Sequence, residues 1–269
     1  MLSTDPEYEQ CLELQQLTWG RDFRELVPPT ILKISQKVGG VVAGALDGDG
    51  RLLGFVYGLT GVREGRLAHW SHMLAVRDEA RGSGLGRRLK LFQREFLLGL
   101  GCSVMYWTFD PLVARNANLN LGSLGAVPRE YVIDMYGQQT GSDLHSGLGT
   151  DRFVVEWRFG DPEVADRIAR GERWCAAAPL RGARVVAPGG DLDGALAAVE
   201  RERPRELWVE IPPDIDRLKS EDRGRALSWR DAMRGSMVWA LANGYRVSGI
   251  AGDLRADGRV WYRLERTAS

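Results

Sequence analysis

The segment of this chain whose residue types and spacing most directly suggest chemistry runs from Val76 to Leu89, through Arg77-Asp78-Glu79-Ala80-Arg81-Gly82-Ser83-Gly84-Leu85-Gly86-Arg87-Arg88. Glycine lets a backbone turn tightly and approach a ligand closely, and here it recurs at 82, 84 and 86. A helical pattern starts at Leu85, and a helix start offers unpaired N–H groups and the positive end of a dipole. Arg81, Arg87 and Arg88 add positive charge. Together these features suit a phosphate-bearing ligand, although loops of this composition also serve as plain turns. Two groups that could move a proton flank the segment. His72 lies on a β-prone run just upstream, and imidazole titrates near neutral pH; packed in a strand, it would instead be a hydrogen-bonded structural residue. Asp110 ends a later β-prone run before Pro111, and is either a base or a turn former. His69, three residues before His72, falls on the opposite face of an alternating strand.

The elements that position these groups follow from hydrophobic periodicity. Residues 5–19 read as a helix, and Ile31, Leu32 and Ile34 open a second after Pro28-Pro29. Val41–Ala45 and Leu52–Gly58 flank Asp47-Gly48-Asp49-Gly50 and read as a hairpin. Arg66–Val76 is a third strand. After the glycine loop, Leu85, Leu89, Phe92, Phe96 and Leu100 recur at helical spacing, with Arg87, Arg88, Lys90 and Arg94 between them and Gly99 and Gly101 at the end. Ser103–Phe109 follows as a strand, so Arg66–Phe109 reads strand, loop, helix, strand, a unit that pairs parallel strands through a right-handed crossover. Next come a short helix near Arg115–Leu124, strands near Tyr131–Tyr136 and Arg152–Phe159, and a corner at Gly160-Asp161-Pro162. Beyond it lie a short Val185-Val186 strand, a helix near Leu192–Glu200, a strand at Leu207–Ile211, a long helix over 223–243, and strands at Tyr245–Ile250 and Arg259–Glu265. "GCSVMYWTFD" at 101–110 and "GYRVSGIAGD" at 244–253 each leave a helix through glycine, run as a strand and end on aspartate. They suggest a degenerate repeat, or only the order any two α/β units share.

Composition bounds the function classes. The 269 residues suit one large domain or two small ones, and 44% hydrophobic content fills a core. Lys+Arg and Asp+Glu both number 36, so nucleic acid and a membrane surface are not the expected partners. Cys11, Cys102 and Cys175 form no CxxC pair, which fits a reducing compartment without disulfides, and no zinc or other metal site is expected. With neither a leader nor an apolar run of membrane-spanning length, a soluble cytoplasmic protein is expected, and a homodimer is compatible. The spacing of the glycines differs from G-x-G-x-x-G, and no G-x-x-x-x-G-K-[ST] occurs, so neither a nicotinamide enzyme nor a P-loop protein is indicated.

Arg81-Gly82-Ser83-Gly84-Leu85-Gly86 resembles the pyrophosphate-binding motif [QR]-x-x-G-x-[GA] of the GCN5-related N-acetyltransferases, matching all three specified positions. Leu74-Ala75-Val76 looks like the family's fourth strand, and Leu124-Gly125-Ala126 like its LGF turn with Ala for Phe. The resemblance covers residues 1–160. "SHMLAV", "WTFDPL", "RNANLN" and "TDRF" are similar to a predicted-acetyltransferase subgroup with a C-terminal extension. The implied fold is α/β (α+β): a mixed twisted sheet flanked by helices over 1–160, with 161–269 as an α/β extension holding a strand–helix–strand half-repeat.

The resemblance also implies a chemistry. An acetyl or other short acyl group would pass from acyl-CoA, the expected co-substrate, to the amine of a small molecule. The pantetheine arm would lie along the fourth strand at Leu74, Ala75 and Val76. Backbone N–H groups over Arg81, Gly82, Ser83, Gly84, Leu85, Gly86 and Arg87 would hold the pyrophosphate. Asn116 would bond the pantetheine, or cap a helix. An amine must lose a proton to attack, so a base is needed; His72 comes first, then Asp110. The family's usual acid, a tyrosine four residues before the glycine of LGF, is replaced by Leu121, and the family's asparagine before it by Ala114. Tyr106, Tyr131 or Tyr136 are substitutes, with Tyr136 carried forward. This departure also motivates a second reading, a non-catalytic acyl-CoA-binding or regulatory protein of the same fold.

Overall fold

The computed structural model of the chain describes residues 1–137, 139–142, 147–170, 185–186, 192–252 and 259–267. His145, Cys175 and Asp253 lie outside the described residues. The chain forms two compact units. One comprises Met1–Trp107, Gln139–Ser146 and Glu156–Ala165, the other Thr108–Gln138, Gly147–Val155 and Asp166–Ser269. Both units draw on segments distant in sequence, whereas the expected boundary after residue 160 follows chain order.

The first unit opens with helix α1 (Asp5–Trp19), started by a capping box in which Thr4 and Glu7 satisfy each other's backbone N–H. Helix α2 (Pro29–Lys37) follows, with proline at its start where no N–H is needed. Strands β1 (Val41–Leu46) and β2 (Leu52–Arg63) form the expected hairpin, and β2 continues into an antiparallel pairing with β3 (Arg66–Val76). Helix α3 (Leu85–Gly99) then carries the chain to β4 (Val104–Phe109), parallel to β3, as the strand–loop–helix–strand pattern requires. Strand β6 (Arg152–Arg158) starts in the second unit and ends in the first, so the first unit's order is β1-β2-β3-β4-β6. Phe55, Tyr57, Met73 and Ala75 on one face of this mixed sheet build a core with Tyr8, Cys11, Leu14 and Leu32.

A β-bulge interrupts the β2–β3 ladder. Tyr57 pairs with Met73 but Gly58 with Ser71, so His72 is the extra residue. A bulge exchanges the faces on its two sides. Met73 and Ala75 therefore point into the apolar core, while Ser71 and His69 point to α3. That polar underside explains a correction on α3. The expected apolar stripe included Phe92 and Leu100, yet both are exposed, and the buried positions are Leu85, Leu89, Lys90, Gln93 and Leu97.

In the second unit, α4 (Ala114–Ala117) passes into a widened turn over Asn118–Ser123, and strand β5 (Val127–Val132) lies beside β6 as the edge of what is, in all, a six-stranded sheet. The expected strand at Tyr131–Tyr136 is displaced toward the N-terminus. Pro128 masks the true strand in the sequence, but an edge strand tolerates proline. Asp134, at φ 45, ends it in a turn closed by Gly137 N–H donating to its carbonyl. Helices α5 (Pro162–Arg170) and α7 (Ile215–Glu221) were not foreseen; Asp214 caps α7 through the Arg217 N–H at 3.0 Å. Helices α6 (Leu192–Glu202) and α8 (Arg223–Ala242), and strands β7 (Val185–Val186), β8 (Glu206–Ile211), β9 (Tyr245–Gly252) and β10 (Val260–Arg266), match the expected elements.

These last strands form a four-stranded sheet in the order β7-β8-β10-β9, with β7 parallel to β8. The order β3-β4-β6-β5 has the same form, with a helix joining the first, parallel pair in each case. The likeness is one of strand order, and its register differs from the one the sequence suggested. It equates β8 with β4 and β9 with β5, so 244–253 is not the counterpart of 101–110. The reason is that β10 inserts between β8 and β9, pairing antiparallel with both.

Within the second unit, segments 108–138 and 147–155 depend on side chains from α8 and β10. Tyr262 donates to the Pro111 carbonyl at 2.7 Å, and Arg230 to the Leu148 carbonyl at 2.9 Å. Residues 1–162 expressed alone are therefore expected to be insoluble, which soluble-fraction recovery checks; a soluble, monodisperse fragment would show that the C-terminal part is dispensable.

Candidate functional site

The glycine loop is built as a cradle. Arg77 anchors the end of β3 by donating from its backbone N–H to Leu53 O at 2.8 Å and from Nε to Leu52 O at 2.6 Å. A single turn over Asp78–Ala80 follows, tied by Ser83 Oγ donating to Ala80 O at 2.6 Å. Gly82 and Gly84 then adopt φ of 77° and 80°, the left-handed region that only glycine enters freely. A Cβ on either would meet nothing within 4 Å, so backbone conformation, not crowding, requires glycine there. Gly84 is the N-cap of α3 without a side-chain cap, and the first turn of α3 carries no acidic residue. The first backbone N–H groups of α3 are thus left for an outside acceptor, at the positive end of a helix dipole.

Beside the loop, β3 and β4 diverge. Their ladder runs through His69↔Met105 and Trp70↔Tyr106, and β3 continues to Val76 beyond it. Leu74, Ala75 and Val76 pair with Val56, Phe55 and Gly54 of β2 on their other side. His72 sits at the bulge within this free stretch, half-buried, with its ring edge-on to Tyr57 at 6.0 Å between centroids. Burial holds the His72 pKa below the ordinary 6.5, so at neutral pH the imidazole is the unprotonated form a base requires.

On the α3 side of the same strand lies a buried polar chain with one consistent sense. Lys90 Nζ donates to Ser71 Oγ at 2.7 Å, and Ser71 Oγ to Gln93 Oε1 at 2.9 Å. Gln93 Nε2 contacts His69 Nε2 at 2.9 Å, and His69 Nδ1 contacts Thr60 Oγ1 at 2.9 Å. Thr60 Oγ1 in turn donates to Gly39 O at 2.6 Å. Because Thr60 gives its proton to a carbonyl, His69 carries its proton on Nδ1 and accepts from Gln93 on Nε2. Gly58 makes room for this ring, since a Cβ there would stand 2.2 Å from His69 Nε2. His69 and His72 therefore face opposite sides of the sheet, as their spacing indicated. Burial, helped by nearby Lys90, draws the His69 pKa down to about 3. Above pH 6.5 both folded and unfolded His69 are neutral; below it the unfolded chain takes a proton that the folded chain refuses. Stability should fall by up to about 1.4 kcal/mol per pH unit as pH drops from about 6.5. Thermal midpoints measured from pH 7 to pH 5 should decline in wild type and decline less in His69→Gln.

Asp110 and Tyr136 belong to the second unit. Asp110 Oδ1 accepts the Leu112 N–H at 2.9 Å, while Oδ2 receives Arg230 at 2.6 Å and Arg152 at 3.5 Å. Both oxygens are engaged, which is the geometry of a structural carboxylate. Nearby, Arg234 holds Asp151 at 2.6 Å and Tyr131 donates to Asp151 at 2.7 Å, so the Tyr131 phenol is held far above its usual pKa by burial and by that carboxylate. Tyr136 stands in the turn after β5, sharing a 2.8 Å hydrogen bond with Thr108 Oγ1. Tyr106, in the first unit, donates to Glu156 at 3.0 Å, and Arg158 grips the same carboxylate at 2.9 and 3.0 Å. Leu121 and Ala114 are buried. Asn116 is inside α4, its N–H donating to Val113 O at 2.9 Å, so it caps nothing.

Sequence reasoning set Lys90 between the apolar positions of the helix and gave Gln93 no role. Their signal was the spacing Gly86, Lys90, Gln93, Leu97, one helical stripe away from the apolar one. Among the described residues no group of three His, Cys, Asp or Glu side chains could hold a metal ion, and no described helix is long and apolar enough to cross a membrane.

No protein-family model and no curated protein matches the chain. Solved structures do resemble it in part. yncA from Salmonella typhimurium, solved with acetyl-CoA, is 16% identical at a TM-score of 0.46, covering 60% of this chain and 93% of its own. The NatC complex bound to Gag peptide and CoA gives 14%, 0.45, 58% and 92%. Aminoglycoside 6'-N-acetyltransferase complexed with coenzyme A gives 13%, 0.42, 57% and 91%.

Proposed function

We propose that the protein is an N-acyltransferase of the GCN5-related type, taking an acetyl or other short acyl group from acyl-CoA to the amine of a small molecule. The observation that carries this reading is the joining of two features in one place. An uncapped, glycine-fronted helix start suited to a pyrophosphate opens directly beside the stretch of β3 from Ser71 to Val76, which lies beyond the last pair with β4. An acyl-CoA presents a diphosphate followed by an amide-bearing arm. The N–H groups between Gly82 and Arg87 would take the diphosphate, and the arm would add to β3 as a further strand. With Arg81 and Asp78 paired at 2.9 Å, the loop also keeps a cation close by.

On this reading the chain's own groups do the rest. His72, neutral and on the free stretch of β3, accepts the proton of the attacking amine. A main-chain N–H on the part of β3 beyond the β4 ladder stabilises the oxyanion. Asp110 holds the loop after β4 through its arginine partners, and Tyr136, bonded to Thr108, braces the turn after β5. The test is thiol release from acetyl-CoA over a panel of amino acids, polyamines and aminoglycosides. Turnover that rises with pH along an apparent pKa below 6.5, and that falls at least about tenfold in His72→Asn, is expected. Tight binding with no turnover of any acceptor would instead favour the non-catalytic reading.

A further inference from the structure

Lys90 has so far only ended a hydrogen-bond chain, but its place is unusual. The last pair of the β3–β4 ladder is Trp70↔Tyr106. The next residue on β3 is Ser71, whose Oγ lies 2.7 Å from Lys90 Nζ; the next on β4 is Trp107, whose ring centroid lies 4.0 Å from the same nitrogen. The amine therefore sits at the fork where the two strands part, on the α3 side. Lys90 is 2% exposed, and among the described residues no carboxylate pairs with it. A lysine removed from water without an acid partner costs stability, and such violations of local rules collect at functional sites.

The fork is where a ligand arm would end. From Val76 back to Trp70, β3 spans about 20 Å at about 3.3 Å per residue. That is the scale of an extended pantetheine arm whose diphosphate rests on the glycine loop. Its sulfur would then lie at the closed end of the fork, over Lys90.

We propose that the Lys90 ammonium is the electrostatic floor of this fork, stabilising the negative charge that forms on the oxygen and then on the sulfur of a bound thioester. The inference rests on the acyl-transfer reading and deepens it. In that step the amine lone pair forms the C–N bond and the C–S bond breaks, its electron pair remaining on sulfur. The amine proton passes to His72, and the thiolate later takes a proton from solvent. A fixed cation in a site shielded from water acts strongly on such charge. The groups facing Lys90 leave it without competition: neutral His69 on β3, Arg87 and Arg94 one turn away on its own helix, and the Trp107 ring of β4 backed by Trp157 of β6. Burial alone disfavours the charged form of Lys90, and negative charge arriving at the fork favours it again, so the ammonium is present when the thiolate forms.

The test needs no acceptor. Coenzyme A itself is bound to the protein, and its thiol is titrated through the ultraviolet absorbance of the thiolate. The bound thiol should titrate at least about one pH unit below free coenzyme A. Lys90→Met, which removes charge and hydrogen bond, and Lys90→Gln, which keeps a donor for Ser71, should both raise it by about one unit or more while leaving the thermal midpoint equal or higher. A bound wild-type thiol that titrates like the free one overturns the proposal without any variant being made. Unchanged titration in a folded Lys90→Met protein does the same. Failure of wild type to bind coenzyme A at all overturns the acyl-transfer reading, and this proposal with it.

Discussion

Arg230→Met should cost the protein about 3–5 kcal/mol of stability, the usual price of stranding one partner of a buried ion pair. Arg230 is 2% exposed, donates to the Leu148 carbonyl at 2.9 Å and meets Asp110 at 2.6 Å. Methionine fills much of the same volume but leaves the Asp110 carboxylate with Arg152 alone, at 3.5 Å. Asp110→Asn should be similarly harmful, since two buried guanidinium groups would then face a neutral amide. Urea denaturation of both variants, and of the Arg230→Met/Asp110→Leu double variant, separates pair from packing. The double variant should recover much of the loss, because two apolar side chains replace the pair without stranding a charge. Single losses under about 1 kcal/mol would mean that the cluster does not fix the segment after β4.

Gly84→Asp should leave stability within about 1 kcal/mol of wild type yet weaken acyl-CoA binding at least about a hundredfold. The two halves of that statement have one cause. Aspartate enters the left-handed region at a cost, but it is also a favoured N-cap, and its carboxylate would accept the N–H groups that now stand open at the start of α3. Those are the same groups a diphosphate would use, and the new negative charge repels it. A folded variant that binds acetyl-CoA like wild type would remove the glycine loop from the site.

The local rules of the sequence reached far into the first unit. Apolar spacing marked α1, Pro28-Pro29 set off α2, an Asp/Gly cluster marked the hairpin, and glycines 82, 84 and 86 marked the loop before α3, because each acts through its own neighbours. What escaped depends on contacts distant in sequence. The bulge at His72 exists only against β2, and it decides that Ser71 and His69 face α3. That in turn makes Lys90 and Gln93 buried partners, which the apolar periodicity of α3 did not include. Asp110 read as a second-choice base or as a turn former, because its arginine partners stand at 152 and 230. β5 was misplaced by Pro128, whose acceptability depends on being at a sheet edge. The repeat register was misread because chain order does not reveal that β10 inserts between β8 and β9.

The central claim is that the cradle between Gly82 and Arg87 and the free stretch of β3 together hold an acyl-CoA. Calorimetric titration of the full chain with acetyl-CoA tests this most directly. Saturable one-site binding in the micromolar range, lost in Gly84→Asp, is the predicted result. Absence of heat and of thermal stabilisation with acetyl-CoA, other short acyl-CoA esters and free coenzyme A would contradict it, leaving the glycine loop as a turn.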